Sequence, residues 1–259
     1  MLTEQQVLFW KTFGYLVFRN VFPQDEIDQI RRDHDDVMAE ERGGQSFNGK
    51  ETQTVLWFVE QRPSLARLAD DDRVYNKVEQ LLGPGFIWCE SDGNYYVGDT
   101  AWHSDGYADK KYMSMKMAFY LDPVAPETGC LRVIPGSHKA FLTCIGETPD
   151  DHYRQSLKKQ EYGVPDEDSL AELAHKHGIV APTGKPGSVV IFDCNTMHGS
   201  NGNITPFPRA NAFMVYNAVS NRLTAPFGVD KPRPEFIAAR GEPEAITPVT
   251  GLLMEEALA

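Results

Sequence analysis

Hydrophobic positions in the first third of the chain recur at the spacing of amphipathic helices. The capping-box pattern Thr3-x-x-Gln6 precedes an apolar group and predicts a helix over about 4–13, ended by Gly14. Apolar residues three and four apart predict two more helices, one after Pro23 and one over about 72–82. The first 83 residues are therefore expected to be mainly helical, with one short strand and a polar loop between the second and third helices.

After Pro84 the pattern changes to short apolar runs separated by turn residues. Such runs predict the strands of a sandwich or barrel, and they lie at 86–89, 115–121, 130–134, 188–192 and 212–219. The polar segment 149–178 interrupts them and is expected to be a partly helical insertion, placed to act as a lid. The hypothesis is a single domain over 1–259, with a helical part at about 1–83, a core at about 84–222 and a wrapping tail at 223–259.

Composition excludes several classes of partner. The 259 residues carry 25 basic and 37 acidic side chains, a net charge of −12, and they contain no dense basic patch, so nucleic acid is not an expected partner. No run of about 18 apolar residues predicts a membrane span. The polar N-terminus does not resemble a signal peptide. No Cys-x-x-Cys pair occurs, which favours reduced thiols in a cytoplasmic protein.

Three residues form a candidate metal site. His103 and Asp105 are two positions apart, so on a strand their side chains share one face. His198 follows a strongly apolar strand over 187–192. Two imidazoles and one carboxylate bind one side of a divalent iron and leave the opposite positions open, as oxygen chemistry requires. Against this, His-x-Asp pairs are common by chance, and a histidine at a strand end is usually only hydrogen-bonded.

The other histidines offer weaker candidates. His175 and His177 could form a rival metal pair, but they lie in a polar segment without a neighbouring carboxylate on a strand and are interpreted as solvated. His34 is interpreted as a packing residue on a helix face. His138 lies in a Pro-Gly-Ser-His turn and is expected to cap backbone groups.

Several ordered motifs together resemble the phytanoyl-CoA dioxygenase family of iron(II)- and 2-oxoglutarate-dependent oxygenases. They are Trp102-His103-Ser104-Asp105, the Gly-Cys-Leu-Arg-Val-Ile-Pro-Gly-Ser-His-Lys run at 129–139, the segment 187–200 and Arg209. The resemblance extends over about residues 5–220. It implies a jelly-roll core of two antiparallel sheets packed face to face with flanking N-terminal helices, and Fe(II), 2-oxoglutarate and O2 as cofactor and cosubstrates.

Site residues follow from the same resemblance. It implies that His103, Asp105 and His198 bind the iron and that Arg209, eleven residues after His198, binds the distal carboxylate of 2-oxoglutarate. A guanidinium can hold a carboxylate with two hydrogen bonds. Arg209 is expected to begin a strand beside the one that ends at His198. Ser200 is expected to add a hydroxyl to the same carboxylate.

Two residues on the strand before the metal loop concern the cosubstrate. The amide of Asn94 is implied to contact 2-oxoglutarate. Glu90 aligns where many relatives carry Gln, and a carboxylate there would repel a dianion. Either Glu90 points away from the cosubstrate, or the alignment shifts by a residue or more.

The expected reaction is oxidation of an unactivated C–H bond. Related halogenases carry Gly or Ala where this chain keeps Asp105, so the resemblance implies hydroxylation, desaturation or ring closure. A small metabolite or an intermediate of specialised metabolism is favoured over an acyl-CoA, because the negative charges of a CoA ester fit poorly with a protein of net charge −12. Tyr107, Trp57 and Arg222 are candidate substrate contacts, or else ordinary packing or surface residues.

Two other functions compete with the oxygenase hypothesis. A non-catalytic jelly roll that binds a metal or small ligand needs neither Arg209 nor an open metal face. A zinc hydrolase using the same three ligands needs a general base, and no His-Glu-x-x-His motif is present. The sequence is compatible with a monomer or a homodimer.

Overall fold

Five helices and nine strands form the part of the chain that the computed structural model describes, residues 1–105, 114–140, 164–218 and 245–250. The helices are α1 (Glu4–Phe13), α2 (Gln24–Glu41), α3 (Pro63–Asp70), α4 (Asp72–Leu82) and α5 (Glu167–His177). The strands are β1 (Tyr15–Phe18), β2 (Gln53–Leu56), β3 (Phe86–Tyr96), β4 (Thr100–His103), β5 (Ser114–Tyr120), β6 (Leu131–Val133), β7 (Val189–Asp193), β8 (His198–Ser200) and β9 (Arg209–Ala218).

Local signals set the ends of α1 as the sequence predicts. The Thr3 hydroxyl accepts from the Gln6 amide, and the Gln6 side chain accepts from the Thr3 amide. At the other end Gly14 takes a left-handed conformation with φ 77°. A Cβ at Gly14 would overlap the side chains of His138 and Thr196, so the position also needs a glycine for space.

The strands form two antiparallel sheets, which confirms the predicted jelly roll. The larger sheet has the order β1-β7-β5-β9-β3-β2, and the smaller has the order β4-β8-β6. Inward-facing Ala118, Val190 and Phe213 of the larger sheet pack with Leu131 and Val133 of the smaller one. The two sheets therefore face each other across one interior.

The N-terminal helices cover the outer face of the six-stranded sheet. Alternate residues such as Met117, Ile191 and Met214 belong to a second apolar cluster, shared with Leu65 and Leu68 of α3. Apolar surface removed from water contributes about 25 cal/mol per Å², so this layer stabilises the fold. Its presence leaves the inner face of the sheet free to carry polar groups.

Three features differ from the sequence predictions. β2 and α3 lie between the second and third predicted helices, where β2 is a half-exposed edge strand without regular apolar alternation. β3 continues to Tyr96 instead of ending at Cys89, because its polar residues face the interior. A short 3-10 helix over Phe58–Gln61 is also not predicted, and its Phe58 is fully buried on the outer side of the sheet.

The predicted neighbour of Arg209 is wrong. Arg209 does begin a strand, but β9 lies between β5 and β3 in the six-stranded sheet. His198 begins β8 of the three-stranded sheet rather than ending a strand. The two residues therefore lie on different sheets, a relation that spacing along the chain does not reveal.

The insertion and the tail are described in part. α5 confirms the predicted helix within 149–178, and its Leu173 packs with Ile134 and Met197. Residues 149–163 lie outside the described residues. In the tail, the amide of Ile246 donates to the carbonyl of Phe86. Across the described ranges, no helix combines the length and hydrophobicity needed to cross a bilayer.

Gly93→Ala should destabilise the protein through the packing of Phe58. A Cβ at Gly93 would overlap the buried Phe58 ring, and overpacking of this kind costs about 1–3 kcal/mol. Urea unfolding of the variant measures the loss. Gly202→Ala is the matched control, since a Cβ there meets no atom within 4 Å. Equal stability of the two variants would contradict the close packing at Gly93.

Candidate active site

Strand pairing brings two of the three predicted metal ligands together. His103, the last residue of β4, lies opposite His198, the first residue of β8, and their ring centroids are 4.3 Å apart. The His103 Nδ1 atom lies 2.7 Å from the Ala101 carbonyl oxygen, and the His198 Nδ1 atom lies 2.9 Å from the Thr196 carbonyl oxygen. With Nδ1–H donating to these carbonyls, both Nε2 lone pairs face the interior.

The loop before His198 is held by the N-terminal part of the chain. The carbonyl of Gly14 accepts from the Asp193 amide at 2.9 Å and from the Thr196 hydroxyl at 3.0 Å. Thr196 is the residue whose carbonyl orients the His198 ring. The turn after α1 therefore helps to fix the direction of the second imidazole.

Asp105 completes the cluster. Its Oδ1 atom is 3.7 Å from His103 Nε2, and its Oδ2 atom is 3.4 Å from His198 Nε2. One donor atom from each of the three residues lies within 4.8 Å of the others, and no other group of this kind occurs in the described ranges. His103 Nε2 is buried without a hydrogen-bond partner. Two neutral imidazoles and a carboxylate so placed fit a divalent metal.

The protonation states also suit a metal site. Burial lowers the pKa of His198 to about 3, with a further contribution from His103. Burial likewise lowers the pKa of His103. Burial alone would raise the pKa of Asp105, but Lys116 and the two imidazoles outweigh it and hold that pKa well below its usual range. The three groups are thus ready to bind a cation without first losing protons.

Arg209 and Ser200 present unused hydrogen-bonding groups to the same interior. Arg209 is 3% exposed, its guanidinium lies 4.7 Å from the Tyr96 ring centroid, and its Nε atom has no partner among the described residues. The Ser200 hydroxyl is also buried and unpartnered there. Because a buried guanidinium needs an anion, the pair fits a carboxylate ligand.

Tyr96 connects Arg209 with the metal cluster. Burial raises the pKa of the Tyr96 phenol to about 12, Asp92 and Asp105 add to the rise, and Arg209 and Lys116 oppose it. Charges at both places act on this one phenol, which lies between Arg209 and the metal cluster.

The register of β3 settles which residues of that strand face the interior. Asn94 lies opposite Asn211, and Glu90 lies opposite Val215, on the same face as Arg209. The Asn94 side chain accepts from Thr54 at 2.7 Å and donates to Asp92. The register therefore does not support the alternative that Glu90 points away from the interior.

Lys116 is a site residue that sequence reasoning missed. Its Nζ atom is 3.2 Å from Asp105 Oδ2, and it is 8% exposed in the middle of β5. Burial opposes its charge, but Asp105 and Asp92 more than compensate and raise its pKa. The available signal was a lysine inside an otherwise apolar strand, Ser-Met-Lys-Met-Ala-Phe-Tyr.

The three predicted substrate contacts are only partly described. Trp57 follows β2, is half-buried and has φ 52°, a conformation that costs a bulky residue about 1 kcal/mol or more. Its amide donates to the Ser91 carbonyl, which places it near the end of the interior where Glu90 lies. Tyr107 and Arg222 lie outside the described residues. The exposed positions of His175 and His177 agree with their interpretation as solvated.

Comparison with known proteins points to one family. The phytanoyl-CoA dioxygenase (PhyH) family model matches residues 10–211. The ectoine dioxygenase of Sphingopyxis alaskensis is 48% identical over 270 residues, which cover 98% of this chain and 88% of that enzyme. The ectoine dioxygenase of Bordetella parapertussis is 40% identical over 272 residues, with the same coverage of 98% and 88%.

A solved structure gives the same result. The crystal structure of EctD from S. alaskensis with 2-oxoglutarate and 5-hydroxyectoine is similar with a TM-score of 0.80 and 41% identity, covering 97% of this chain and 89% of that one. The jelly roll and its cofactors define an Fe(II)- and 2-oxoglutarate-dependent dioxygenase, which uses O2 to oxidise a small molecule. The chain belongs to the phytanoyl-CoA dioxygenase family.

In metal-free protein, His198 should make stability depend on pH. Its folded pKa of about 3 lies below the ordinary value of 6.5, so on acidification the unfolded chain takes up the proton first. Stability should therefore fall from pH 7 to pH 5, with about 1–2 kcal/mol of the loss due to His198. Burial raises the pKa of Asp92 to about 6, so Asp92 has the opposite effect on stability. Urea unfolding in chelator, done on the wild type and on His198→Gln, isolates the part due to His198 because Asp92 is common to both proteins. Equal pH dependence in both would exclude a neutral buried ring.

Proposed function

We propose that this dioxygenase hydroxylates ectoine, or a small zwitterion very similar to it, at a metal held by His103, Asp105 and His198. The observation that carries the proposal is the 48% identity to an ectoine dioxygenase over nearly the whole chain. The convergence of three donor atoms in the interior supports the same activity. We further infer a single cytoplasmic domain that works as a monomer or homodimer on a free small molecule, without nucleic acid or membrane.

The three ligands would keep one side of the metal for protein and the other for reactants. The carbonyls of Ala101 and Thr196 hold the Nδ1 protons of the imidazoles, so that both rings offer Nε2 in fixed orientations. When bound, iron(II) with 2-oxoglutarate and O2 supplies the oxidising power that breaks an unactivated C–H bond, and succinate and CO2 are released. The chain contributes binding, orientation and exclusion of water.

Arg209 and Ser200 would orient the cosubstrate. The guanidinium is already buried against Tyr96, so little conformational freedom is lost when it binds a carboxylate. Asn94 lies on the same inner face and is proposed to contact 2-oxoglutarate through the donor capacity that its bonds to Thr54 and Asp92 leave.

The charges of the interior favour a small zwitterion over an acyl-CoA. Ectoine carries an amidinium and a carboxylate on one ring. Glu90 and Asp92 lie on the inner face beside the cationic Lys116, so charges of both signs are available to a zwitterion. A CoA ester would bring several phosphate charges to a protein of net charge −12. Trp57, Tyr107 and Arg222 are the proposed additional contacts.

Purified protein with Fe(II), 2-oxoglutarate and O2 should convert ectoine to a hydroxyectoine, with one succinate formed for each product. NMR of the product and a succinate assay measure the two quantities. His103→Ala and Asp105→Ala should abolish both, because each removes a metal ligand. The exposed variant His175→Ala is the matched control and should retain activity. Full turnover in Asp105→Ala, or no product from ectoine in the wild type, would reject this proposal.

Arg209→Ala should raise the 2-oxoglutarate requirement by one or more orders of magnitude. The loss of one partner of a buried charge pair costs about 2–5 kcal/mol, and the effect should appear in the KM for 2-oxoglutarate rather than for ectoine. Steady-state kinetics measure both constants. Arg32→Ala, on the exposed side of α2, serves as control. An unchanged KM for 2-oxoglutarate would remove Arg209 from the cosubstrate site.

A further inference from the structure

Lys116 is a buried ammonium that faces the candidate metal site from the opposite sheet. His103 and His198 belong to the three-stranded sheet, and Asp105 lies two residues after His103, the end of β4. Lys116 lies on the six-stranded sheet, in register with Phe192, whose ring centroid is 4.8 Å from that of His198. The ligands thus present their donor atoms from one side of the interior, and Lys116 presents its charge from the other.

The ammonium has more donors than the described structure uses. A lysine carries three N–H donors. Among the described residues it makes one hydrogen bond, to Asp105 at 3.2 Å, and it lies 5.2 Å from the Phe213 ring centroid. Buried ammonium donors are stable only where acceptors meet them, so a ligand acceptor fits at this place.

The two buried cations of the interior project from different levels of the large sheet, and each lies against a different group, Arg209 over the Tyr96 ring and Lys116 at Asp105. Lys116 is in register with Val215, whereas Arg209 begins the same strand β9 six residues earlier. At about 3.3 Å per residue, these levels are about 20 Å apart along the strand. Arg209 with Ser200 suits the distal carboxylate of 2-oxoglutarate, and Lys116 is left for a different anion.

We propose that Lys116 binds the carboxylate of the substrate and thereby determines which molecules the enzyme accepts. The inference rests on the proposed function, since it assumes that the substrate is a small acid oxidised beside His103, Asp105 and His198. It adds the group that recognises this acid. The competing role, in which Lys116 only holds Asp105 in place, predicts no dependence on the substrate's carboxylate.

The test compares acids with their carboxamides on anaerobic holoenzyme containing Fe(II) and 2-oxoglutarate. The probes are ectoine and a set of small cyclic amino acids, each paired with its carboxamide, and calorimetry gives the dissociation constants. The wild type should bind the acid of at least one pair at least about 30-fold more tightly than its amide, a ratio equivalent to about 2 kcal/mol. Lys116→Met should bring that ratio close to one and leave the affinity for the amide unchanged.

A spectroscopic control, a charge control and a surface control separate substrate binding by Lys116 from a role in holding Asp105. The weak visible absorption of the Fe(II)–2-oxoglutarate complex should persist in Lys116→Met, and Lys116→Arg should retain a preference for the acid. Lys11→Met, on the exposed surface of α1, should behave as wild type. If Lys116→Met does not fold, Lys116→Gln takes its place.

Three results would overturn the inference. They are a wild type without acid preference in any pair, a Lys116→Met variant that keeps the preference, and a variant that instead loses 2-oxoglutarate binding. The proposed function is judged separately. If ectoine is not bound, but another acid is bound more tightly than its carboxamide in a way that depends on Lys116, the proposed substrate is wrong and the role of Lys116 stands.

Discussion

Charged and titratable side chains are buried between the two sheets, and this constraint organises the site. An isolated buried charge is far too costly to persist, so each charged group there needs a partner. Lys116 is matched by Asp105, with Asp92 nearby. His103 Nε2 and Arg209 Nε remain unmatched among the described residues, and these are the atoms at which the metal and the cosubstrate are proposed to bind.

The rest of the fold keeps these groups in place. The pairing of β4 with β8 sets the two imidazoles next to each other, and backbone carbonyls fix their rotation. The carbonyl of Gly14 links α1 to the loop before His198. Helices α1 to α4 supply apolar burial on the outer face of the large sheet, so its inner face can carry polar residues without loss of the core.

Membership in the family does not fix the substrate. One scaffold can carry many different sites, so the substrate depends on the residues that line the interior. In this chain, the inner face of the large sheet carries Glu90, Asp92 and Lys116, which place both signs of charge near the candidate metal ligands. Recognition of a small zwitterion is consistent with that distribution.

The sequence by itself determined the parts that depend on near neighbours. The bounds of α1 and α4 followed from caps and apolar spacing, and the motifs around His103 and Arg209 indicated the family and its cofactors. Only the tertiary structure placed His103 opposite His198, put Arg209 on the six-stranded sheet and brought Lys116 to Asp105. Strand order and register depend on pairings between residues distant along the chain. A single lysine in an apolar strand carries no signal of which distant carboxylate it will meet.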